Sequence, residues 1–252
     1  VTIPYLRRLT AVSRSPQANR HLAYLLTFTA GAVNAGGFLA VQQYTSHMSG
    51  IVSMMADHMA LGGVIVVLQG LAALMSFIAG AASSAFLINF GRRSRLASEY
   101  ALPLLLEAVL LLAFGLLGAN LESLRWFYVP GTVMLLCYIM GLQNAMITKV
   151  SRSEIRTTHV TGMVTDIGIE FGKLFYWNLA KGDAHAMPPV QADRGKLIVL
   201  SVMVGLFFVG GVTGAYSFFN FGFGSTWPLA LLLMLLAAVP ILDDIRSFMH
   251  RA

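Results

Sequence analysis

The chain has 252 residues, of which 57% are hydrophobic and 11% charged, and it carries a formal net charge of +6. A soluble domain has about 25% charged residues, so most of this chain cannot face water and a membrane is its expected solvent. The single cysteine, Cys137, lies in an apolar run without an intrachain partner, which excludes a disulfide framework.

In chain order, residues 3–20 mix Leu6, Leu9 and Val12 with arginines, as expected of an amphipathic tail (1–21) on an anionic inner leaflet. Residues 22–41 form the first apolar run, too long for a signal-peptide core and followed by Gln42-Gln43-Tyr44, so they read as a retained anchor. Further runs cover 64–90, 102–119, 127–147, 197–219 and 228–242. Most reach the roughly 20 residues that cross a bilayer, and the shorter last one follows Trp227 as an interfacial anchor. Residues 46–62 and 158–175 are helical in pattern but shorter or more polar. They are read as half-helices, one dipping in from each side, a backbone arrangement tolerated only where protein or a water-filled cavity surrounds it. Residues 179–196, with Pro188-Pro189, read as a linker, and 243–252 as a cytoplasmic tail.

With six spans and a cytoplasmic N-terminus, the basic residues fall on the inner side, and of the 17 only Arg125 lies opposite. They are spread over several connections without a nucleic-acid motif, so the positive charge is a topology signal and nucleic acid is not an expected partner.

The two halves repeat. Gly31-Ala32-Val33-Asn34-Ala35 recurs as Gly141-Leu142-Gln143-Asn144-Ala145, and Ser46-His47-Met48-Ser49-Gly50 as Thr158-His159-Val160-Thr161-Gly162. The run from Phe77 through Gly80 to Phe86 aligns with that from Phe207 through Gly210 to Tyr216, and Pro103 with Pro228. Four matches in one order, offset by about 110 to 130 residues, predict two membrane repeats, 22–119 and 127–242. Each holds three spans and one half-helix, and an odd number of crossings turns the second over. The expected fold is an all-α integral membrane protein of six transmembrane helices plus two re-entrant helices, arranged as two inverted repeats with both termini cytoplasmic.

The Gly-x-x-Asn-Ala helices, the Ser46-His47-Met48-Ser49-Gly50 segment and the run from Arg156 through His159 to Asp166 resemble the YoaK family of bacterial membrane proteins, over about residues 23–242. That resemblance implies a multi-pass domain of this size in the bacterial inner membrane. The family is one of unknown function, so it implies no substrate.

Inverted repeats with broken helices are the recurring design of secondary transporters. Half-helices starting near Ser46 and Thr158 would offer unpaired N–H groups and dipole ends, with hydroxyls of Ser46, Ser49, Thr158 and Thr161 able to cap them or bind a solute. Gly50 and Gly162 would allow close approach, Asn34 and Asn144 are polar groups inside spans, and the paired His47 and His159 could bind or titrate. These residues are the expected binding site for a small polar or anionic solute or ion. Acidic residues at membrane depth, Asp57, Glu107, Asp166 and Glu170, are the coupling candidates, with Asp166 favoured for a proton and Glu170 also open to pairing with Lys173. Neither G-x-S-x-G nor H-E-x-x-H occurs, so no enzyme and no cofactor is expected. Copper(I) at Met54, Met55, His58 and Met59 with His47 and Met48 is disfavoured, because the second half offers only Met163. A channel, an intramembrane enzyme or a structural membrane protein are the alternatives, and small-residue spans permit close packing within a chain or in a homodimer in the lipid bilayer.

Overall fold

The computed structural model describes residues 15–118, 125–150, 160–176 and 189–249, and all regular structure among them is helical. In chain order the α-helices are α1 (Pro16–Val41), α2 (Met48–Ala60), α3 (Val64–Arg93), α4 (Ala101–Gly118), α5 (Arg125–Val150), α6 (Val160–Phe175), α7 (Arg194–Phe221) and α8 (Thr226–Met249). A 3-10 turn, Gly222–Ser225, links the last two. Gln17–Val41, Val64–Arg93, Pro130–Val150 and the joined Arg194–Arg246 are long and apolar enough to cross a membrane, and Ala101–Leu116 is a shorter apolar helix. Residues 1–14 of the expected tail 1–21 and much of the linker 179–196 lie outside the described residues, and the rest of the tail belongs to the start of α1.

Local chemistry sets the helix ends. The Ser15 hydroxyl accepts from the Ala18 amide at 3.2 Å with Pro16 at the first helical position, which starts α1. Gln42 enters the left-handed region at φ 56° and donates its N–H to the Phe38 carbonyl, which ends it. Gly62, at φ 75°, makes the reversal from α2 to α3 that a side chain would strain. At 1.5 Å per residue, α2 with 13 residues reaches about 20 Å, short of the roughly 30 Å of a hydrocarbon core.

Helix α1 packs against α7, and α5 against α3. A Cβ on Gly31 would overlap the Phe207 carbonyl oxygen, and one on Gly210 that of Phe28. The second pair repeats this. A Cβ on Gly141 would overlap the Phe77 carbonyl oxygen, and one on Gly80 that of Tyr138. The residues matched in the sequence repeat therefore make matching backbone-to-backbone crossings. Tails of lipid are as apolar as leucine, so association inside a membrane depends on such close van der Waals packing.

Contact order along each pair gives direction. Gly210 meets Phe28 and Gly214 meets Ala32, so α1 and α7 run the same way. Gln143 donates to the Leu26 carbonyl while Gly37 lies against Leu136, so α1 and α5 are antiparallel. Ala97 donates to Asp244 while Gly118 meets Phe223, so α4 and α8 are antiparallel too. The main core gathers Leu22, Leu26, Leu104, Leu136, Met140 and Leu233 from α1, α4, α5 and α8. Helices α3 and α7 flank it, with α2 on α3 and α6 on α7, and they leave Leu68, Met75, Phe86, Phe208, Val212 and Phe219 exposed. Exposed apolar faces of that extent suit contact with lipid or with another protein, and the helices that carry them are long and apolar enough to cross a membrane.

Overlap with backbone cannot be relieved by a rotamer change. Gly80→Ala and Gly210→Ala should each destabilise by about 1–3 kcal/mol, read as a lowered melting temperature in detergent. Gly205→Ala, with nothing within 4 Å of the added methyl, should leave it unchanged.

Candidate functional site

Beside the two crossings lies a cavity of about 640 Å³, lined from both halves of the chain. Asn34, one turn beyond Gly31, and Asn144, one turn beyond Gly141, face it while only 9% and 8% exposed. The first turns of the two short helices supply the rest of the polar lining: His47 and Ser49 at α2, Thr161 and Gly162 at α6, with Ser46 ahead of α2. Thus Asn34, Ser46, His47, Ser49, Asn144, Thr161 and Gly162, expected at one site, line one cavity. Thr158 and His159 lie outside the described residues. Gly50 lies behind His47, where an added Cβ would stand 3.3 Å from the imidazole Nδ1, so its lack of a side chain leaves room for the ring over the first turn of α2.

Ser46 does something other than the capping expected of it. His47 occupies the N-cap position of α2 and makes no side-chain cap bond, while the Ser46 hydroxyl, one residue earlier, donates to Asn34 Oδ1 at 2.8 Å. That bond joins the α1–α2 connection to the middle of α1 and fixes which end of the Asn34 amide is occupied. Asn144 also has a partner, and its carbonyl accepts from Thr148 at 2.8 Å.

Five lining residues lay outside the expected set: Tyr44, Met48, Phe77, Val160 and Phe207. Phe77 and Phe207 stood at the head of a repeated segment, and their recurrence was the signal that could have found them. Tyr44 stacks on Phe38 with ring centroids 4.5 Å apart, a contact without a sequence signature. A second cavity of about 360 Å³, among Met54, Ile65, Gln69, Gly70, Pro130 and Val133, is mainly apolar.

None of the acidic candidates lines the larger cavity. Asp57 is exposed on α2. Asp166 Oδ2 pairs with Lys196 Nζ at 3.1 Å and is 39% exposed. Glu170 is buried as a clasp between α6 and the start of α7: Oε1 takes a hydrogen bond from Lys173 Nζ and Oε2 one from the Asp193 amide, both at 2.8 Å. Asp193 in turn caps α7 by accepting from the Lys196 amide. Glu107 is fully buried in α4, and neither carboxyl oxygen has a hydrogen-bond partner among the described residues.

The Lys173 ammonium first, and then the Asp193 amide, hold the Glu170 carboxyl below its ordinary value of 4.5. A carboxyl depressed by folding contributes stability that is complete above that ordinary value and is lost as pH falls through the folded one. The melting temperature of the wild type should therefore drop on acidification below 4.5 more steeply than that of Glu170→Gln. Parallel acid limbs for the two proteins would remove the clasp.

No curated protein and no solved structure matches the chain significantly. A family described as protein of unknown function (DUF1275) matches residues 22–239, which spans both short helices, both crossings and every described residue of the cavity. The chain belongs to the DUF1275 family.

Proposed function

We propose that this protein is a secondary transporter of a small polar or anionic solute, built as six spans and two re-entrant helices in two inverted repeats. The observation that carries the reading is the cavity, which sets asparagines, hydroxyls and an imidazole among apolar side chains and takes in the first turns of two short helices, one from each half. Helix ends that stop at membrane depth and face a solute-sized space are how broken-helix carriers bind their cargo. The antiparallel runs of α1 with α5 and of α4 with α8, which are repeat partners, support inversion, because a two-fold axis in the membrane plane reverses each helix onto its mate. Counted from a cytoplasmic N-terminus, this puts the C-terminus inside as well. The YoaK resemblance adds the expectation of a bacterial inner membrane.

In such a carrier the flanking pairs, α1 with α7 and α5 with α3, would rock against each other about the glycine crossings and open the cavity to each side in turn. Proton coupling would fall to a carboxyl that the fold removes from water and leaves unpartnered. Among the acidic candidates that description fits Glu107 better than the favoured Asp166, whose carboxylate is partly exposed and held by Lys196.

In proteoliposomes, a panel of small carboxylates and neutral polar solutes should reveal saturable counterflow of at least one labelled solute. Linear, non-saturating flux would make the protein a channel, and turnover of lipid without flux would make it an enzyme. Glu107→Gln should keep exchange and lose accumulation driven by a pH gradient by more than about tenfold, whereas Asp166→Asn should keep both. The reverse result would return the coupling role to Asp166.

A further inference from the structure

The lining of the large cavity is uneven in its hydrogen-bonding capacity. It contains no Asp, Glu, Lys or Arg among the described residues. Asn34 is more than nine-tenths buried and lines the space; its Oδ1 accepts from the Ser46 hydroxyl, and no described residue accepts from its Nδ2. The Ser49 and Gly50 amides, in the first turn of α2, also have no acceptor among the described residues, since the amides on either side of them take Ser46 and His47 carbonyls. Ser49 lines the same space. The apolar part of the lining is Phe77, Phe207, Met48 and Val160.

We infer that the solute is a small organic carboxylate, its oxygens on Asn34 Nδ2 and the first-turn amides of α2 and its apolar body between Phe77 and Phe207. A carboxylate brings acceptors alone, which matches the unpaired donors of Asn34 and of the first turn of α2, and the positive end of the α2 dipole favours its charge. A cation would meet no carboxylate among the described lining residues, and Asn34 Oδ1 already accepts from Ser46. A neutral amide would bring N–H groups that need acceptors of their own. The volume lies within the roughly 300–1,000 Å³ of small-molecule sites and leaves room for a ring or short chain beyond the carboxylate.

This inference rests on the transporter reading for its biological sense, but binding tests it separately. With purified full-length protein at neutral pH, melting temperature and calorimetric affinity are measured for three probes of one shape: benzoate, benzamide and benzylamine. Benzoate should stabilise the protein and the other two should not. Asn34→Leu should weaken benzoate by at least about tenfold while eluting as the wild type does. If that variant does not fold, Ser46→Ala, which releases the Asn34 amide, should weaken benzoate in the same direction. Stabilisation by benzylamine, or equally by benzamide, would overturn the inference, as would no response to benzoate, cyclohexanecarboxylate and propionate alike. Benzoate that binds but is never carried, in proteoliposomes or by counterflow, would sink the transporter reading and leave the binding site. A solute carried with no carboxylate binding would do the opposite.

Discussion

Helices α1 and α7, and equally α5 and α3, meet with backbone against backbone, a glycine of each helix lying on a carbonyl of the other. In hydrocarbon there is no gain from hiding leucine from its surroundings, so contact at this range, summed over many weak dispersion terms, is what holds such helices together. Everything at the site follows from it. Because Gly31 and Gly141 pull their partners in, the asparagine one turn further along each helix is brought to the edge of a shared space, and Phe77 and Phe207, whose carbonyls form the crossings, close it. A larger residue at any of the four glycines would separate the helices and with them the two halves of the cavity.

Among the described residues the cavity is lined without a carboxylate, ammonium or guanidinium group, and that is informative. Charged side chains pair away from the cavity: Asp166 with Lys196, Glu170 with Lys173, and Arg92 with Glu99. Each binds one helix to a neighbouring segment or to its own next turn, and Glu170 does so through the α7 capping residue. The cavity is left to amides, hydroxyls and an imidazole, which can hold a solute without the desolvation cost of a full protein charge. Glu107 is the exception to this division of labour, an acid held in the helical core with no described partner.

Much of this was legible in the sequence, for physical reasons that differ by feature. Apolar runs, glycines and hydroxyls recurred at matched positions because the same crossing and the same helix start are built twice. Seven of the ten residues singled out from that recurrence converge on the cavity. Pairing was not legible: that α1 meets α7 rather than its sequence neighbour α3 depends on contacts some 180 residues apart, which periodicity does not encode. Nor was the role of Ser46. A serine before a helix usually caps it, but here the acceptor on Asn34 lies within reach and the N-cap position falls to His47. Glu107 was visible as an acid in an apolar run, yet its lack of partners is a property of packing on all sides.

The central claim is that the two halves are the same unit turned over, so corresponding points must lie on opposite faces of the membrane. Leu61 follows α2 and Tyr176 follows α6, and both are exposed. Single cysteines at Leu61 and Tyr176, in a Cys137→Ala background, can be labelled with a membrane-impermeant thiol reagent in intact cells and in inside-out vesicles. The account predicts that Leu61→Cys reacts from outside and Tyr176→Cys from inside only; labelling of both from the same face would contradict it.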